Sequence, residues 1–190
     1  MQDRLLSRDF GLYESVVDQA STYVRALAGV TKGRAVLLVG HSSGGVVAFE
    51  MARQLIEQGW IVKHLFIFDS WAKLPFDIEF KEQFIQAIYR QAEKIKPELF
   101  FHSGAEMKLW LDVLWHRMIT LMEYRPANLD IEATLFAAQE ELVEYPSASS
   151  DYGWSDFINN LHQHQIPGNH ETILSAENIA LAAEQLNNIL

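Results

Sequence analysis

The stretch Gly40-His41-Ser42-Ser43-Gly44-Gly45 constrains this chain more than any other. An apolar run, Ala35-Val36-Leu37-Leu38-Val39, leads into it, and a helix-compatible run through Val46, Phe49, Ala52 and Leu55 follows. The pattern predicts a buried strand, a sharp turn and an amphipathic helix, with Ser42 at the apex. A turn this tight forces its central residue into strained backbone geometry, and flanking glycines let neighbouring backbone pass close by. The Ser42 hydroxyl would then stand clear at the carboxyl end of a sheet. The Ser43 amide would open the helix, where unpaired N–H groups can stabilise an oxyanion. This is the G-x-S-x-G nucleophile elbow, and the strand before it and helix after it are the context that gives a short pattern its meaning. A phosphate-binding loop fits less well, because the chain has neither G-x-x-x-x-G-K-[ST] nor G-x-G-x-x-G.

The elements around the elbow predict an α/β fold. Glu14 to Leu27 reads as a helix with Val16, Val17, Ala20, Tyr23, Val24 and Leu27 at helical spacing and Gly29 just past its end. The helix after Ser42 runs to about Gln58 and stops at Gly59, and Val62 to Asp69 is a second apolar strand. Strand, helix and strand joined by a long crossover make a right-handed βαβ unit and a parallel sheet. Ile131 to Ala138 is a third strand, Tyr145 to Gly153 a turn-rich loop, Trp154 to Leu161 a short helix and His162 to Ile166 a more polar fourth strand. A loop, Pro167 to Glu171, precedes an amphipathic final helix, Ser175 to Leu190.

Residues 72–129 interrupt this alternation. Phe76 to Ile95 and Glu106 to Glu123 read as two helices rich in Phe, Trp, Leu and Met. The insertion begins directly after a strand's carboxyl end, where loops surround a site. It therefore reads as a helical lid with an apolar underside, with Phe84 and Trp110 as the first candidates to line it. The alternative is a helical hairpin that only packs on the core.

A serine hydroxyl is a poor nucleophile near neutral pH and needs a base within hydrogen-bond reach and a carboxylate to orient that base. In elbow-bearing folds the chain order is serine, acid, histidine. Seven histidines are available. His41 lies inside the elbow, where its side chain would point away from the Ser42 hydroxyl. His64 begins a strand, His102 and His116 lie in the insertion, and His162 and His164 alternate on the last strand as structural histidines. That pair lacks a third ligand for a metal, so no metal centre is expected. His170 follows the last strand and precedes a helix, the place where a base would reach the sheet's carboxyl edge. For the acid, Asp69 closes the strand after the nucleophile helix and would emerge beside Ser42. Glu140, Glu141 and Asp151 are the alternatives.

Gly40 to Gly45, Phe68-Asp69-Ser70, the helical insertion and Gly168-Asn169-His170 together resemble the thioesterase domains that end non-ribosomal peptide and polyketide synthases. The resemblance covers about residues 12 to 190. It implies an α/β-hydrolase fold, an acyl-Ser42 intermediate, His170 as base and Asp69 as acid. It further implies a substrate delivered as a thioester on the phosphopantetheine arm of an acyl or peptidyl carrier protein, with no permanently bound cofactor. In that family several strands precede the helix at Glu14–Leu27. The chain is thus expected to be a single domain over 1–190 without those strands, leaving Ala35–Val39 at an exposed edge. A lipase or carboxylesterase of the same fold, or a non-catalytic module that keeps the elbow, are the competing readings.

Bulk properties agree with these expectations. A length of 190 residues suits one domain, and 49% hydrophobic and 21% charged residues are ordinary for a packed protein. A net charge of −10 disfavours a nucleic-acid partner and adhesion to anionic membranes. There is no cysteine, no apolar run long enough for a membrane span and no leader-like start, which together suit the cytoplasm.

Overall fold

The computed structural model describes residues 12–30, 35–74, 81–83, 85–86, 104–140 and 149–187. Among these residues four strands, β1 (Ala35–His41), β2 (Ile61–Phe68), β3 (Leu129–Ala138) and β4 (Ile158–Ile166), form one all-parallel sheet in the order β1-β2-β3-β4. Helix α1 (Val16–Val30) precedes β1, α2 (Ser43–Glu57) joins β1 to β2, α3 (Gly104–Glu123) lies between β2 and β3, a 3-10 turn at Trp154–Asp156 precedes β4, and α4 (Ala176–Asn187) follows it. This is the expected α/β architecture with a mostly parallel sheet.

Alternation along the strands divides the interior in two. Leu65, Ile67, Ala133, Leu135 and Ala137 join Val16, Ala20 and Val24 of α1 and Val46, Phe49, Ala52 and Leu55 of α2 in the larger cluster. Phe66, Phe68, Phe136 and Ala138 face the other way and pack with Ile166, Ile173 and Ala182 of α4. Strand β1 ends the sheet, and on it Leu37 and Val39 are 42% and 64% exposed, as expected for an apolar strand at an edge.

Two segments depart from the sequence reading. The short helix expected over Trp154–Leu161 is only the three-residue 3-10 turn, and β4 begins at Ile158 rather than at His162. The cause is pairing: from Leu129↔Ile158 onward the segment continues the parallel ladder to β3. As an end strand it is exposed at most positions between Ile158 and Ile166, so its polar residues cost nothing there. Within the insertion, residues 81–83 and 85–86 are helical, whereas Phe84 and His102 lie outside the described residues. Helix α3 buries Leu111, Trp115 and Leu121. Its carboxyl end docks on the large cluster, where the Tyr124 hydroxyl donates to the buried Glu50 carboxylate at 2.8 Å. His116 of α3 donates through Nε2 to the Tyr13 carbonyl at 2.8 Å.

Candidate active site

The strand–turn–helix context predicted for Ser42 is present. Ser42 lies between β1 and α2 with φ 54° and ψ −131°, and its side chain makes no capping bond to the helix. The hydroxyl is therefore left to point elsewhere. Two glycines make the turn possible. A Cβ on Gly40 would lie 2.2 Å from the Gly44 carbonyl oxygen, and one on Gly45 would lie 2.5 Å from Ser70 Oγ. The Ser42 amide is tied to the Phe68 carbonyl at 3.0 Å, fixing the elbow to the end of β2.

One residue beyond β2, Asp69 also adopts a positive φ of 43°. Its amide donates to the Phe136 carbonyl of β3 at 2.8 Å. Its side chain is 3% exposed and turns back along the sheet edge. Oδ1 accepts from the Ala138 amide and from the Tyr152 hydroxyl, each at 2.8 Å. Burial pushes the Asp69 carboxyl up, but hydrogen bonds from His170, Ala138 and Tyr152 outweigh it and hold the group below its usual value. The carboxylate thus stays ionised.

His170 enters on the loop after β4. Asn169 Oδ1 accepts from the amides of Glu171 and Thr172 at 3.0 and 3.2 Å, a side-chain-closed turn of the kind asparagine favours. Buried Ile173 anchors the loop to the sheet. His170 Nδ1 lies 2.7 Å from Asp69 Oδ2, and Nε2 lies 2.9 Å from Ser42 Oγ. An ionised carboxylate only accepts, so Nδ1 carries the proton and donates to it; the neutral ring then offers Nε2 as acceptor to the serine hydroxyl. A group abstracting a proton from Ser42 has the right atom at the right distance.

Three flanking side chains, His41, Trp71 and Tyr152, make contacts at the site that the sequence does not indicate. The His41 ring stacks on His170 at 4.9 Å and its Nε2 donates to the His170 carbonyl at 3.2 Å. Burial and the neighbouring His170 lower the proton affinity of the His41 ring. Trp71 lies 5.7 Å from the His170 ring and stacks on Tyr152 at 5.1 Å. No short-range pattern points to these contacts, since His41 and His170 are 129 residues apart.

The remaining sequence candidates fall elsewhere. Glu140 is exposed, with its amide bonded to the Gly168 carbonyl, and Glu141 lies outside the described residues. Asp151 closes its own turn, accepting from the Gly153 and Ser155 amides at 3.1 and 3.2 Å. His64 is buried against Phe66 and Thr134. His162 is exposed, 3.4 Å from Glu132, and His164 stacks on Phe136. Among the described residues no group of three or more acidic or histidine side chains is arranged to hold a metal ion. No described helix is long and apolar enough to cross a membrane.

Residues 7–189 match the family model for the thioesterase domain. The chain belongs to that family. Its relatives include vanchrobactin synthetase VabF of Vibrio anguillarum, 28% identical over 162 residues, a match spanning 80% of this chain and 6% of the synthetase. Polyketide synthase GfsE of Streptomyces halstedii is 25% identical over 175 residues, spanning 92% of this chain and 4% of the synthase. Among solved structures, the NocB thioesterase domain in covalent complex with a fluorophosphonate nocardicin G analogue superposes with a TM-score of 0.78. That match has 20% identity and covers 100% of this chain and 80% of that one. The chain is thus a thioesterase domain, and its α/β fold matches that of a solved thioesterase domain.

Proposed function

We propose that the domain releases an acyl, peptidyl or polyketide chain from a phosphopantetheine carrier through an acyl-serine intermediate. The observation that carries this reading is the unbroken line of hydrogen bonds from Asp69 through His170 to Ser42. Ser42 Oγ attacks the thioester carbonyl as its proton passes to His170 Nε2. The developing oxyanion is stabilised by the Ser43 amide at the start of α2. Collapse breaks the C–S bond, and His170 returns the proton to the departing pantetheine sulfur. Water, or a hydroxyl or amine of the bound chain, then gives its proton to His170 Nε2 and attacks the acyl ester. The C–O bond breaks and the proton returns to Ser42 Oγ, giving hydrolysis or cyclisation. Asp69 keeps the imidazole oriented and stabilises its charge when protonated. No step needs a resident cofactor or metal.

The carrier protein is the proposed partner, and the cytoplasm, where such synthases supply their thioesters, the proposed location. Residues 72–129 are proposed as the lid over the acyl chain, with Phe84 and Trp110 lining it; Trp110 is half-buried on α3. The test compares turnover of an acyl-pantetheine thioester with that of a simple ester of the same acyl group, in the wild type and in Ser42→Ala. The expected result is preferential turnover of the thioester and none in the variant. Fast simple-ester turnover with a slow thioester would point to a carboxylesterase. A wild type that takes no fluorophosphonate label on Ser42 would mark a non-catalytic module.

A further inference from the structure

Among the described residues, three non-glycine residues have a positive φ: Ser42 at 54°, Asp69 at 43° and Tyr152 at 53°. Such a residue persists only where its surroundings over-determine it. Ser42 and Asp69 belong to the site described above. Tyr152 stands on a separate loop, yet its hydroxyl ends on Asp69.

The loop is built to hold that placement. The Tyr152 amide donates to the Ser149 carbonyl at 3.1 Å, and the Trp154 amide to the Asp151 carbonyl at 3.0 Å. Gly153 follows with φ 77°, and the Asp151 carboxylate gathers the Gly153 and Ser155 amides and the Ser155 hydroxyl. The loop then grips the segment after β2. The Ala72 amide donates to the Tyr152 carbonyl at 3.0 Å, and Trp154 Nε1 donates to the Ser70 carbonyl at 2.6 Å. Tyr152 itself is 7% exposed. A hydrophobe could fill that space; what a tyrosine adds is the hydroxyl, 2.8 Å from Asp69 Oδ1. Oδ1 is thereby held by Tyr152 and Ala138 together, which leaves Oδ2 aimed at His170 Nδ1.

We propose that Tyr152 is a positioning residue for the reaction. Its hydroxyl fixes the rotation of the Asp69 carboxylate, and so acts on His170 through Asp69. The proposal rests on the reading of Asp69 and His170 given under the proposed function.

The test is Tyr152→Phe in the whole chain, which keeps the ring and removes the donor. A fluorophosphonate reports the rate and end point of Ser42 labelling, and an acyl-pantetheine thioester reports kcat and KM across pH. The expected result is a kcat lowered roughly ten-fold, in line with loss of one hydrogen bond to a charged group, with KM unchanged. Labelling should slow by the same factor while reaching the same end point. The deficit should deepen as pH falls, because Asp69 without one of its donors takes up a proton at higher pH. A wild-type kcat and labelling rate at every pH overturns the proposal. So does a reduced labelling end point with an unchanged rate constant, the mark of a purely structural role. Asp69→Asn separates the two readings. If it costs orders of magnitude while Tyr152→Phe costs nothing, only Tyr152's role falls; if it too is harmless, the reading of Asp69 falls first. Should Tyr152→Phe not fold, 3-fluorotyrosine at the same position, a stronger donor, is expected to move the acid-side loss to lower pH. No movement overturns the proposal.

Discussion

The two glycines that bracket Ser42 in the pentapeptide look equivalent in sequence but should respond in opposite ways to alanine. At Gly40 the new Cβ would sit 2.2 Å from the Gly44 carbonyl oxygen, 2.5 Å from its carbon and 2.6 Å from Gly45 Cα. All three are backbone atoms, so no side chain can swing aside. The elbow must open by roughly 1 Å to reach ordinary contact, and overpacking of this kind costs about 1–3 kcal/mol. For a domain of this size that is a drop in Tm of roughly 3–10 °C. The same opening moves Ser42 Oγ, now 2.9 Å from His170 Nε2, out of hydrogen-bond range. At Gly44 nothing lies within 4 Å of a built Cβ, and the residue is the second of α2. Glycine in a helix is about 0.5–1 kcal/mol worse than alanine, so Gly44→Ala should hold or raise Tm. Thermal unfolding and fluorophosphonate labelling of both variants decide the matter. If Gly40→Ala melts with the wild type and labels at the same rate, or if Gly44→Ala falls as far as Gly40→Ala, the steric account of the elbow is wrong.

Other outcomes follow from the same geometry. Trp154→Phe keeps the buried ring beside Phe49 but strands the Ser70 carbonyl, and should cost about 1–3 kcal/mol in denaturant unfolding. Burial raises the Glu50 carboxyl, but hydrogen bonds from Arg53, Gln54 and Tyr124 prevail and hold it below its ordinary 4.5. Its contribution is therefore full above 4.5 and lost as pH falls through the lower folded value, so Glu50→Gln should flatten the acid side of the stability curve. If 72–129 is an acyl lid, a polar substitution at Trp110 should raise KM most for the longest acyl chains, at ~0.8 kcal/mol per methylene withdrawn from the pocket. A uniform rise in KM across an acyl series would assign Trp110 to packing.

Much of the site could be read in the sequence because its parts are local. An apolar run, a glycine-bounded serine and a helical run specify one turn whatever surrounds them. Asp69 and His170 were legible because each follows a strand, and a parallel sheet brings such ends to one edge. What could not be read were contacts with no local signature. Tyr145–Gly153 looked only turn-rich, and nothing in Asp151-Tyr152-Gly153 says that a tyrosine takes a positive φ to reach another loop. The serines and the aspartate around it, which close the turn, are the one signal present. The sequence pattern starts β4 late, at His162 instead of Ile158, because Asn159 and Asn160 look unlike a strand. Their polarity reflects an end strand open to solvent rather than a helix.

The order of the strands explains why Asp69, and not an acid after β3, meets His170. The end of each strand is anchored on the next. Ser42, one residue past β1, gives its amide to Phe68 at the end of β2. Asp69, one residue past β2, gives its amide to Phe136 near the end of β3, and its carboxylate receives the amide of Ala138. The backbone thus descends in steps across β1, β2 and β3, and each step supports one residue in an unfavourable φ. At the next step the pattern changes. Gln139 and Glu140 give their amides to Ile166 and Gly168, so the end of β3 is committed to carrying the loop that holds His170. With Glu140 exposed, an acid there would compete with water, whereas Asp69 is enclosed among three donors. Placing the carboxylate one strand from the serine and two from the histidine loop lets a single sheet edge hold all three without a long excursion. The cost is the backbone strain at Asp69, which the Phe136 and Ala138 bonds hold in place.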